Sequence, residues 1–264
     1  MEIKKLYNYD RGRQIFRLLP TGSDKLIIEE RDRDKKEVYF SCLDIYTGKE
    51  IFIDLQFEEK YWIGIEKIYK DVILFHRYEK PDLPNHKGII AFDIKSQTVL
   101  WENQNKFLLA AEDKVLFMSS EFGITKLFSV DYLSGEIESD TSEVQNIQPQ
   151  KEDYSSYTYS HKISVEELNN LIPSNFKKII NEYVIKDYVN FVSRNKTSLF
   201  SFHYINNIGK LDNIFFAVDE NGTILLQETL NTGLEKIEPE SYFIKNDLLF
   251  LLFGSSGFGV YQII

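Results

Sequence analysis

The chain has 264 residues, of which 43% are apolar and 14% aromatic; that is enough for a packed core and argues against disorder. A formal net charge of -10 repels phosphate backbones and argues against nucleic-acid binding. The single cysteine, Cys42, excludes an internal disulfide and has no metal-ligand spacing.

The N-terminal residues carry lysines with no apolar run behind them, so they do not read as a secretory signal. The first strands are Ile15 to Leu19, Leu26 to Ile28 and Tyr39 to Asp44, followed after Gly48 by Ile51-Phe52. Between them, Glu29 to Glu37 alternates in sign and is not a basic patch. Cys42 sits in the apolar run Phe40 to Leu43, where a buried, inert thiol is expected. The pattern then repeats with Trp62 to Ile68, Val72 to Phe75, Ile89 to Asp93 and Val99 to Trp101. A third copy reads Phe107 to Ala111, Val115 to Met118 and Leu127 to Asp131, then Gly135 and Ile137.

An irregular region follows. Gln145 to Ser160 is polar and rich in tyrosine. Ser164 reads as a helix N-cap, with Glu166 and Glu167 in the first turn. Pro173 interrupts the helical pattern and Asn175 to Val184 resumes it. Residues 145–182 are therefore expected to form a helical insertion, a degenerate extra strand unit being the alternative. A fourth copy runs through Tyr188 to Val192, Leu199 to Phe202, Ile214 to Asp219, Gly222 and Ile224 to Leu226. The fifth has Tyr242 to Ile244, Leu248 to Leu251 and Gly259 to Ile264, and Ile3 to Tyr9 is expected to supply its missing outer strand. The glycine-rich stretch Gly254 to Gly259 lacks the lysine and helix of a phosphate-cradling loop and reads as a hairpin turn.

The recurring feature is an apolar strand ending in aspartate, a short turn and a second strand. Asp bonds backbone amides two residues on, and Gly supplies a positive φ without steric cost. The second copy has Ser96-Gln97 where glycine is expected, which predicts a looser turn. Each unit reads as four antiparallel strands over roughly 40 to 50 residues, the period of propeller blades. The expected fold is all-β: a small β-propeller of about five four-stranded blades, with 1–264 as a single domain and the helical insertion between blades three and four.

These hairpins, together with Val99-Leu100-Trp101-Glu102, resemble quinoprotein-type and WD-type propeller repeats. Phe16 to Pro20 and His86 to Asp93 resemble a family of uncharacterised, propeller-like bacterial proteins typical of Bacteroidetes. That resemblance implies a fold and no activity. Quinone-dependent dehydrogenation is not expected, because those enzymes resemble larger rings with a vicinal disulfide.

Aligning the second strands by their apolar runs puts Glu30, His76, Ser119 and His203 in one register, followed by Arg31, Arg77, Ser120 and Tyr204. The loop His76 to Gly88 adds Asp82 and His86, stiffened by Pro81 and Pro84. Glu30, Arg31, Trp62, His76, Arg77, Asp82, His86 and His203 are the candidate ligand-binding residues. Histidine at this position suits a ligand or acid–base work near neutral pH, yet no triplet has a recognised metal spacing. The bland alternative is that each side chain bonds a local neighbour, with Arg31 and Arg77 pairing with Glu29, Glu30 or Glu79. Trp62 reads as a packing anchor before a stacking platform.

No cofactor, resident metal or catalytic residue is expected. The favoured function is a non-enzymatic binding or protein-interaction module, with the tyrosines at 154, 157 and 159 suited to a protein partner. The alternative is a small-ligand receptor or a hydrolase- or lyase-like enzyme using the face of His76, His86 and His203. Apolar runs such as Leu248 to Phe253 are too short to span a bilayer, so no membrane partner is expected and the cytoplasm is the expected location.

Overall fold

The computed structural model describes residues 2–78, 86–111, 113–140, 148–149 and 154–264. Among them the regular elements are strands, apart from two helices of 7 residues each. The chain divides into two compact units, Gln14–Asp153 and the combination of Met1–Arg13 with Tyr154–Ile264.

The second of these begins with β1 (Ile3–Asp10), and the chain then enters the Gln14–Asp153 unit. Here β2 (Gln14–Pro20), β3 (Lys25–Asp32), β4 (Glu37–Asp44) and β5 (Glu50–Leu55) form one antiparallel sheet in chain order. A second sheet holds β6 (Ile63–Tyr69), β7 (Val72–Tyr78), β8 (His86–Asp93), β9 (Thr98–Ala110), β10 (Lys114–Glu121), β11 (Ile124–Asp131) and β12 (Ile137–Asp140), also in chain order. β9 is 13 residues long and serves both halves of this sheet. Its first half pairs with β8 (Asn103 opposite Ile89), and its end pairs with β10 (Ala110 opposite Val115).

The central strands are buried on both faces, which is why they read as continuous apolar runs. In β7, Ile73 and Phe75 face a core shared with Ile27, Phe40 and Cys42 of the first sheet. Val72 and Leu74 face the other way, onto Val115, Phe117 and Val130. Cys42 is buried, and desolvation pushes its thiol up to about 12, so it is unreactive near neutral pH.

The other unit continues with β13 (Tyr157–Thr158), β14 (His161–Ile163), α1 (Val165–Leu171), α2 (Ser174–Ile180), β15 (Ile185–Arg194), β16 (Thr197–Ile205), β17 (Leu211–Val218), β18 (Ile224–Leu234), β19 (Tyr242–Lys245), β20 (Leu248–Phe253) and β21 (Gly257–Ile263). Strands β14 to β18 form one sheet, and β13, β19, β20, β21 and β1 form another. As expected, the N-terminal strand pairs with the last one, Ile3 opposite Ile263. Ser164 caps α1 through a reciprocal capping box with Glu167. Pro173 separates the helices, whose buried Leu168, Phe176 and Ile180 pack on Phe200, Phe202 and Phe216 of the sheet. Residues 145–147 and 150–153 of the expected insertion lie outside the described residues.

The aspartate turns form as the sequence implies. Asp44 accepts the amides of Tyr46 and Thr47, Asp131 those of Leu133 and Ser134, and Asp219 those of Asn221 and Thr223. The second copy is not looser. Gln97 takes the left-handed conformation at φ 57°, and its amide donates to Asp93 O at 2.9 Å, as Gly48 does to Asp44 O. Its side-chain amide also donates to Ile51 O at 2.8 Å, a tether that a glycine lacks.

Candidate functional site

The site arises from strand phase within the Gln14–Asp153 unit. His76 follows Leu74 on the same face of β7 and pairs with Ile89. Two bulges flank it. On one side Ile65 pairs with Phe75 and Lys67 with Leu74, so Glu66 is an extra residue. On the other, His76 pairs with Ile89 and Arg77 with Lys87, so Gly88 is extra. A bulge re-aims side chains that simple alternation would separate. In an unbulged strand His86 and Ile89, three residues apart, would face opposite ways; with Gly88 bulged out, His86 stands opposite Tyr78 on the face of His76. Gly88 has φ +68°, and a Cβ there would meet Asn103 O at 2.7 Å, so only glycine fits this bulge without strain.

The two imidazoles stack, with centroids 3.5 Å apart and planes 5° from parallel. Both Nδ1 atoms lie close to one carboxylate oxygen: Glu66 Oε2 is 3.0 Å from His76 Nδ1 and 2.6 Å from His86 Nδ1. His76 is 1% exposed, yet neither of its nitrogens, nor Glu66 Oε2, has an aligned hydrogen-bond partner. Buried polar atoms left in that state cost about 1–3 kcal/mol each. Tyr78 stands edge-on to both rings, and Trp62 stands edge-on to Tyr78. On the opposite strand, Gly64 leaves open the space beside His76 Nε2.

Burial works to raise the Glu66 carboxyl, but the two imidazoles outweigh it and hold the group below the usual carboxylate range. Burial pushes His76 below the ordinary histidine value; the His86 ring adds to this and Glu66 opposes it. Both directions favour an ionised carboxylate beside a neutral buried imidazole near neutral pH. Glu66, His76 and His86 each offer one ligand atom, and those atoms lie within 4.8 Å of one another.

Other sequence-selected residues have local roles. Arg31 donates to Glu29 Oε1 from Nε and Nη2 (3.0 and 2.7 Å) and reaches the carbonyls of Tyr61 and Ile63. Arg77 pairs with Glu102 at 3.2 Å. Glu30 is buried in β3 and does not share the register of His76. Lys25 pairs with Asp44 and Val72 with Asp93, which makes Glu29 the equivalent of His76. Counting apolar residues misses this because the runs differ in where they start. His203 lies in the other unit, where its Nε2 accepts the Glu238 amide at 3.2 Å. Asp82 lies outside the described residues. Trp62 packs on Tyr61 and Tyr78 as an anchor.

Glu66 was not selected from the sequence. Its one signal is the spacing of Ile65 and Ile68, which both pack on one core. Three residues apart in a strand, they require an extra residue between them.

Residues 19–101 match the model of a domain of unknown function, DUF4905. A search of curated proteins found no match. Among solved structures the chain is similar to BamB from Moraxella catarrhalis, at 8% identity and TM-score 0.35, covering 100% of this chain and 98% of that one. It is also similar to the β-propeller domain of the Trilobed protease from Pyrococcus furiosus, at 10% identity and TM-score 0.31, covering 96% and 69%. A third likeness is to the Dos1 propeller, at 10% identity and TM-score 0.30, covering 94% and 67%. Likeness at this level carries no argument about activity or ligand. Among the described residues, no helix is long and apolar enough to cross a membrane. The span matching the domain of unknown function includes Glu66, His76 and His86.

Proposed function

We propose that this chain is a non-enzymatic binding module of the cytoplasm, built as a small β-propeller of about five blades with 145–182 as a helical insertion. Its binding centre is the cluster of Glu66, His76 and His86, and it engages neither nucleic acid nor membrane. The observation that carries this reading is a buried imidazole whose nitrogens lack aligned hydrogen bonds while a second imidazole and a carboxylate converge on it. Such a group is costly unless a ligand satisfies it. Binding is favoured over covalent catalysis because the cysteine is buried with a raised pKa. The succession of antiparallel sheets, of four, seven, five and five strands, and the pairing of β1 with β21 support the propeller reading.

The test is a thermal-shift screen of small anions, carboxylates and divalent cations on the wild type and Glu66→Gln. A ligand class that raises Tm in the wild type and not in the variant supports the reading. No response, or equal responses, contradicts it.

A second reading, a protein partner on the tyrosine-rich segment, is favoured by the exposure of Tyr154 and Tyr159 beside the Tyr157–Tyr159 stack. Retention of a partner by the wild type and its loss on Tyr159→Ala would support it.

A further inference from the structure

We propose that Glu66, His76 and His86 form a binding site for a divalent transition-metal ion of the zinc class. This names the ligand of the binding centre and rests on that reading.

The donor set is the first argument. Two imidazole nitrogens and one carboxylate suit borderline ions such as Zn2+, Co2+ and Ni2+, whereas Mg2+ and Ca2+ favour all-oxygen shells. Three protein donors are the number found in zinc sites that keep one position open for water or a further ligand.

Spacing is the second. Ligands about 2.0–2.2 Å from one ion in a tetrahedral shell sit roughly 3.3–3.6 Å from each other. The Glu66 to His76 separation of 3.0 Å and the 2.6 Å to His86 are both shorter, so the donors must part slightly to admit an ion. The parallel stack also directs the two in-plane lone pairs alongside each other, so one ring must tilt to meet a shared ion. His86 is the ring free to do so. Its side chain is 28% exposed at the first residue of β8, whereas His76 is 1% exposed within β7.

The pattern of unmet bonding also fits a cation. A shared proton would explain the approach of the rings to Glu66 if an N–H pointed at the oxygen. No such alignment is present at either nitrogen of His76 or at Glu66 Oε2. A cation accepts lone pairs from Nδ1 and Oε2 together and so meets two of these three unmet atoms. The two bulges are the fold's contribution, because they bring three residues of different strand phase to one face.

The experiment is calorimetric titration of the full chain, treated with chelator and exchanged into buffer, with zinc chloride, alongside a Co2+ titration read by visible absorption. Glu66→Gln preserves shape, and His86→Ala alters a partly exposed residue, so both are expected to fold; circular dichroism checks this. The expected result is one zinc per chain, with affinity reduced about 100-fold or more by each variant, and a Co2+ spectrum of low symmetry that both variants abolish. Mg2+ at the same concentration gives no heat. Zinc binding that both folded variants retain, or no zinc binding by the wild type, overturns the proposal. If zinc fails but another ligand class still gives a Glu66-dependent thermal shift, the metal assignment falls and the binding centre stands. If neither responds, both fall.

Discussion

A Cβ on residue 64 would stand 3.2 Å from Nε2 of His76, so the ring occupies space that only a glycine on the neighbouring strand leaves open. That contact is closer than ordinary van der Waals packing allows, and His76 is too buried to move away freely. Gly64→Ala is expected to destabilise the protein by about 1–3 kcal/mol through overpacking. It should also weaken zinc binding by about 10-fold without removing a ligand. Denaturant unfolding and calorimetry on the same variant check the two effects. Unchanged stability and affinity would mean that the ring is not held where the structure has it.

Gly88 tests the second bulge. Alanine there meets both a positive φ and the carbonyl oxygen of Asn103 at 2.7 Å. The left-handed conformation alone costs an L-residue about 1–2 kcal/mol. Gly88→Ala is expected to lower stability by at least that much, or to slip the register and turn His86 away. In either case the variant loses the thermal response to the ligand more fully than Gly64→Ala does. A variant with wild-type stability and wild-type response would contradict the phase argument.

These two glycines also mark the limit of sequence reading. The strands were legible because apolar runs bounded by Asp and Gly dictate hairpins, and the aspartate turns of Asp44, Asp131 and Asp219 form as expected. His76 and His86 were legible as polar residues around one loop. Glu66 was not, because strand alternation says nothing of a bulge until the pairing is known. Gln97 shows the same limit in reverse: an L-residue holds a glycine's conformation, aided by a side-chain bond to Ile51 O, a partner 46 positions away. The shared register assigned to Glu30, His76 and His203 failed because runs of similar composition begin at different points along their strands.

His203 gives a pH dependence. Burial lowers its pKa below the ordinary histidine value, and its Nε2 accepts the Glu238 amide, which a protonated nitrogen cannot do. Lys186, a charged residue, lies opposite it on β15. Above about pH 6.5 both folded and unfolded chains leave this ring neutral, and it adds no slope. As pH falls below that value the unfolded chain takes up a proton that the folded ring resists, so stability declines. His203→Gln removes this contribution. Its deficit against the wild type at pH 7.5 is expected to shrink at pH 5, as read by urea unfolding. A constant deficit would count against a buried, neutral ring.

Phe176 tests the docking of α2. It is fully buried and edge-on to Phe200 and Phe216. Phe176→Ala is expected to cost about 3–5 kcal/mol, seen as a lower urea midpoint at unchanged slope. A loss under about 1 kcal/mol would mean that the helix adds little to this core.

The proposed function requires Glu66, His76 and His86 to act together on one ligand. Diffraction from crystals grown with zinc, measured on both sides of the zinc absorption edge, tests it most directly. The prediction is one anomalous peak about 2.0–2.2 Å from a donor of each residue, with the His86 ring tilted out of its stack. No peak there, with the two rings still parallel against Glu66, would contradict it.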